Sequence, residues 1–120
     1  MQYKDLIVWQ KSHSLSLKTL LALKSIQSSY EVEILSRQLI RAVTSIGANI
    51  AEGYGRYEGK EYSRFLRIAY GSASETDNWI NLLRDSGSMP PDIAAGLIKD
   101  NEEILKILAA IIKKLKAKSE

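Results

Sequence analysis

Between Arg41 and Glu52 the chain carries no charge, yet its apolar residues do not keep to one side of a helix. Val32, Leu35, Leu39, Ala42, Ile46 and Asn49 recur at alternating spacings of three and four, which marks one stripe of a 3.6-residue helix. Ile40, Val43, Gly47, Ala48, Ile50 and Ala51 fill the rest of the cylinder. A helix that is apolar all round is buried all round. One core of a small bundle covers only one side of each helix, so the remaining side calls for a partner, and a second copy of the chain is the simplest. Gly53 and Gly55 are placed to end the helix.

The 120 residues suffice for one domain with a single core and are too few for two. Without cysteine there is no disulfide and no thiolate metal site. The amino terminus, Met1-Gln2-Tyr3-Lys4-Asp5, is not a charged leader followed by an apolar block, and the expected location is the cytoplasm. The longest uncharged apolar run, Ala42 to Ala51, contains Thr44, Ser45 and Asn49, which argues against a membrane span. The net charge of +3 lies in residues 1–60, which carry eight basic and five acidic side chains. Lys113, Lys114, Lys116 and Lys118 form the one dense basic cluster, and at the end of a helix they read as solubilising cations favoured by the dipole, with contact to phosphates as the alternative.

Four helices are expected, at about 5–28, 31–53, 60–86 and 91–118. Asp5 is the expected cap of the first, whose inward stripe reads Leu6, Trp9, His13, Leu17, Leu20 and Leu21. Small polar residues around Ser28 and Ser29 make a short loop, and short loops join antiparallel neighbours. The third helix turns inward Tyr62, Phe65, Ala69, Ser72, Thr76, Trp79 and Leu83. Gly87, Pro90 and Pro91 separate it from the fourth, which turns inward Leu97, Asn101, Ile104, Leu108, Ile111 and Leu115. No segment reads as a strand. The fold class is all-α, an elongated antiparallel up-down-up-down four-helix bundle.

Several polar residues fall on these stripes. If the second and third helices are an antiparallel pair, Arg41 lies level with Ala73 and Asn49 with Phe65, and Ser72 and Glu75 fall within a turn of Arg41. Gln38, Arg41, Ser45, Asn49, Ser72 and Glu75 then form a structural polar network centred on an Arg41–Glu75 ion pair, with Thr76 beside it. On this reading Glu75→Arg unfolds or disassembles the protein. A ligand or phosphate site built on Arg41 is the alternative. Asn49 and Asn101 stand where a bundle wants leucine, as residues that fix register. Gly47 and Gly71 lie mid-helix, where each costs up to about 1 kcal/mol relative to alanine unless it permits a close approach. With Ile40 and Ala48 they make the expected oligomer interface.

Catalysis finds no support. The one histidine, His13, has no cysteine and no suitably spaced acid to work with, and it reads as a core-edge residue. Gly53-x-Gly55 follows no strand and lacks dinucleotide-fingerprint spacing. No cofactor, metal or small-molecule substrate is indicated. A binding surface remains: Arg56, Tyr57, Lys60, Arg64 and Arg67 interleave cations with aromatics, with Tyr54 and Tyr70 nearby, a pattern suited to single-stranded RNA or DNA. A tyrosine-rich oligomer rim with ordinary surface charge is the rival reading.

The motifs Leu6-Ile7-Val8-Trp9-Gln10-Lys11, Gln38-Leu39-Ile40-Arg41-Ala42, Asn49-Ile50-Ala51-Glu52-Gly53 and Phe65-Leu66-Arg67-Ile68-Ala69-Tyr70-Gly71-Ser72 with Glu75 resemble the bacterial four-helix bundle family of proteins encoded in intervening sequences of the large-subunit ribosomal RNA gene. The resemblance covers nearly the whole chain. It implies a left-handed bundle assembled as a ring-like homopentamer, no catalytic activity, and RNA or DNA as a partner. A related branch, the accessory variability protein of diversity-generating retroelements, implies the alternative of a structural or protein-adaptor oligomer without a nucleic-acid ligand, such as a reverse-transcriptase accessory protein. That branch is more basic than this chain.

Overall fold

The computed structural model describes residues 1–56 and 59–119. After a 3-10 turn at Tyr3–Asp5 come four helices: α1 (Ile7–Ser25), α2 (Tyr30–Tyr54), α3 (Gly59–Asp85) and α4 (Pro91–Ser119). Cross-contacts fix their directions. Ser16 of α1 donates to the Val43 carbonyl of α2, and Trp9 lies beside Gly47. Ser45 of α2 faces Ser72 of α3, and Gly53 faces Phe65. Lys11 and Lys18 of α1 pair with Glu103 and Asp100 of α4. Numbers rise on one helix as they fall on its neighbour, so the four run up, down, up and down in a bundle 48 × 23 × 21 Å.

The helix ends follow local chemistry. Ser29 Oγ accepts the Val32 N–H at 3.1 Å, and Glu31 and Glu33 in the first turn suit the positive end of the α2 dipole. Asp5 does not cap α1 as expected: its carboxylate accepts the Gln2 N–H at 2.8 Å and closes the 3-10 turn, leaving Leu6 before α1 without a side-chain cap. Gly87, at φ 81°, reverses the chain after α3 while Ser88 N–H bonds back to the Leu83 carbonyl.

Leu39, Ile46, Ile50, Leu66, Ile80 and Leu108 are fully buried at the centre. The inward stripe of α1 differs from the sequence reading. Val8, Ser12, Leu15, Thr19 and Ala22 face the core, while His13, Leu17 and Leu21 face out. Serine and threonine can sit inward because each hydroxyl bonds the carbonyl four residues back, Ser12 to Val8 and Thr19 to Leu15, both at 2.7 Å. His13 stacks on Trp9, with ring centroids 4.8 Å apart.

The Arg41–Glu75 pair is also corrected. Both side chains are exposed and no ion pair joins them among the described residues. The α2–α3 seam is instead closed by small groups: Ser72 Oγ donates to Ser45 Oγ at 2.9 Å, and Asn49 Nδ2 donates to the Ser45 carbonyl and hydroxyl at 2.8 and 2.9 Å. Gln38 is exposed. Asn101 is fully buried and its Nδ2 donates to the Ala73 carbonyl at 2.8 Å, tying α4 to α3.

The inference that one chain cannot cover α2 is weakened by α1. A methyl group on Gly47 would lie 3.6 Å from Trp9 Nε1, and Ile40 is half-buried beside Leu20 and Leu23. Of the four expected interface residues, Ala48 and Gly71 are exposed, and nothing in the chain lies within 4 Å of where a Gly71 side chain would begin. Of the two glycines expected to end α2, Gly53 lies within the helix. The helix continues to Tyr54 and Gly55 caps it.

Candidate nucleic-acid interface

Lys60, Arg64 and Arg67 stand on one side of α3 because spacings of four and three return a helix to the same face. Antiparallel packing sets the end of α4 beside them. A groove of about 500 Å³ is lined by Lys60, Ser63, Arg64, Arg67, Ile68, Leu115 and Lys116. It adjoins a second of about 400 Å³, lined by Arg67, Tyr70, Ala109, Ile112, Lys113 and Lys116. Arg67 and Lys116 belong to both, so the two form one trough. Among the described residues five cations line it and no carboxylate does.

The neutralisation of these charges is uneven. Arg64 Nη1 lies 3.7 Å from Glu61 Oε2 at an exposed site, which leaves most of its charge available to solvent. Arg67 Nε donates to the neutral Ser63 hydroxyl at 3.3 Å and keeps its full charge. Arg56 behaves differently: its Nη2 donates to Glu52 Oε1 at 2.7 Å, and that hydrogen bond, with the carboxylate's charge, raises its pKa above the ordinary value.

The expected set therefore divides. Lys60, Arg64 and Arg67 come together; Arg56 does not line the trough, and Tyr57 lies outside the described residues. The Arg56 and Arg64 guanidinium carbons lie 5.3 and 5.6 Å from the Phe65 ring centroid, so this ring already serves as a cation–π partner within the chain. Tyr54 meets Tyr62 edge to face at 6.4 Å. Burial pushes the Tyr62 phenol above its ordinary 10.0, and the charge of Tyr54 adds to the shift. Tyr70, 38% exposed, is the aromatic that does line the trough.

Sequence reasoning missed Lys113 and Lys116 as members of the site, having read them as dipole-favoured solubilising charges. The signal was present. The antiparallel levelling applied to α2 and α3 puts Arg67 level with Ala109 and Arg64 with Ile112 when applied to α3 and α4, so Lys113 and Lys116 stand about one turn further along.

Among the described residues, no group of three or more His, Asp or Glu is placed to hold a metal ion, and no helix is long and apolar enough to cross a membrane. The family described as 23S rRNA-intervening sequence protein matches residues 4–110. The chain is also similar to a Bacteroides thetaiotaomicron VPI-5482 protein of unknown function from the S23 ribosomal protein family, whose crystal structure superposes with a TM-score of 0.80. The two share 29% sequence identity, over 89% of this chain and 99% of that one. No curated protein matches the chain.

Proposed function

The chain belongs to the 23S rRNA-intervening sequence protein family, and from that premise we propose that it is a non-enzymatic, self-associating bundle that binds RNA or DNA through the α3–α4 trough. The observation that carries this reading is the trough's charge: among the described lining residues, five cations from two helices and no carboxylate. Phosphate is the common ligand such an array neutralises, and displaced counterions make the binding salt-dependent. One copy offers few contacts. Repetition of the trough around an oligomer, a homopentamer by the family resemblance, multiplies them.

Self-association draws support from apolar side chains left in water on α1. Ile7, Leu17 and Leu21 are 64%, 52% and 65% exposed. The same residues favour the second reading, a structural or adaptor oligomer that meets protein and no nucleic acid.

A salt titration of RNA binding separates the two. For a single strand the logarithm of affinity should fall against the logarithm of salt with a slope of about −0.7 for each phosphate neutralised, or roughly −2 to −3.5 if three to five cations engage. Arg67→Glu combined with Lys113→Glu should abolish binding without changing the sedimentation of the oligomer. Absence of binding at low salt would leave the adaptor reading. Sedimentation as a 13.4 kDa species at high concentration would remove the oligomer.

A further inference from the structure

The trough has rims and a floor of opposite character. Lys60, Arg64 and Arg67 form the rim on α3, and Lys113 and Lys116 the rim on α4. On the α4 side of Arg67 lie Tyr70, 38% exposed, and Leu115, Ile112 and Ala109. Helices packed side by side stand about 8–10 Å apart, so the two cationic rows bracket a narrow apolar strip.

We propose, resting on the nucleic-acid reading above, that this trough takes a single strand with its bases turned onto the floor and its phosphates held at the rims. A duplex keeps its bases stacked inside and presents sugar and phosphate. Laid over Ile112 and Leu115, those groups would lose water and gain no partner. A single strand divides its polar and apolar parts as the trough does. At 1.5 Å of rise per residue the three α3 cations span about 10 Å, room for two or three nucleotides per subunit. Tyr70 supplies a face on which a base can stack, and Arg64 and Arg67 supply planar groups that both fork phosphates and stack. An acidic amphipathic peptide would satisfy the charge but would make no use of those planar groups.

The test is fluorescence anisotropy on the whole oligomer with three probes: a ten-nucleotide oligo(U), a ten-base-pair RNA duplex and a glutamate-rich decapeptide. The single strand should bind at least about 10-fold more tightly than the duplex at equal salt. Tyr70→Ala should weaken the single strand by about 10-fold with an unchanged salt slope, Tyr70→Phe should restore it, and Arg67→Glu should lower the slope. Tyr70 is exposed, and an unchanged melting curve will certify the variant as folded. Equal binding of strand and duplex, both indifferent to Tyr70→Ala, overturns the base-in-trough arrangement and leaves nucleic-acid binding standing. Tighter binding of the decapeptide than of oligo(U) overturns it in favour of a protein ligand. Failure of both RNA probes at low salt removes both readings together.

Discussion

A methyl group on Gly53 would stand 2.7 Å from the Cβ of Phe65, closer than two such carbons can approach. The glycine thus marks a close approach of α2 to α3, and Phe65 fills the space a side chain would need. Gly53→Ala should destabilise the protein by about 1–3 kcal/mol, the usual cost of overpacking, as read by urea denaturation. Unchanged stability would mean the helices separate freely there.

Gly71 is the opposite case. It lies inside α3 in open space, so Gly71→Ala should stabilise the single chain by about 0.5–1 kcal/mol through helix propensity alone. Denaturation at low and high protein concentration makes the experiment informative about assembly. A gain at low concentration that turns into a loss at high concentration would place Gly71 against a neighbouring copy.

Glu75→Arg should change stability by less than about 0.5 kcal/mol, because Glu75 is exposed and makes no ion pair with Arg41. The sequence alone implied collapse for the same substitution. Thermal melting of the variant decides between them.

Ser45→Ala removes the acceptor of two side-chain hydrogen bonds, from Ser72 and Asn49, at a partly buried seam. The loss should be about 1–2 kcal/mol, with Ser72→Ala less costly because it leaves the Asn49 bond to Ser45 intact. Equal costs would argue against Ser45 as the hub.

Tyr62 gives a pH signature. Its phenol titrates above 10.0 in the folded protein because burial disfavours the charged form. The stabilisation from keeping the proton is complete below pH 10.0 and is lost as pH rises through the folded value, since the unfolded chain ionises first. Melting temperature should therefore be unaffected by this group below pH 10.0 and fall above it, and Tyr62→Phe should flatten that part of the decline.

Much of the fold was legible because long helices carry strong periodicity: the strand-free architecture and the break at Gly87 follow from spacing and turn chemistry. The inner face of α1 was not, since Ser12 and Thr19 look like surface residues until their hydroxyls are seen bonding back to their own helix, and Leu17 and Leu21 look like core. For the site, Lys60, Arg64 and Arg67 were found from one helix's spacing. Lys113 and Lys116 required knowing which residues of α4 stand beside them, a relationship between helices that no single-helix pattern contains.

The ion pairs of Lys11 and Lys18 with Glu103 and Asp100 join the first helix to the last. A ribosome releases α1 long before α4 exists, so during synthesis α1 can rest only against α2, with one flank of its narrow, hydroxyl-bearing inner face unsupported. The α2–α3 hairpin, seated at Gly53 on Phe65, has both its partners earlier. Closure of the bundle thus waits for α4 to emerge.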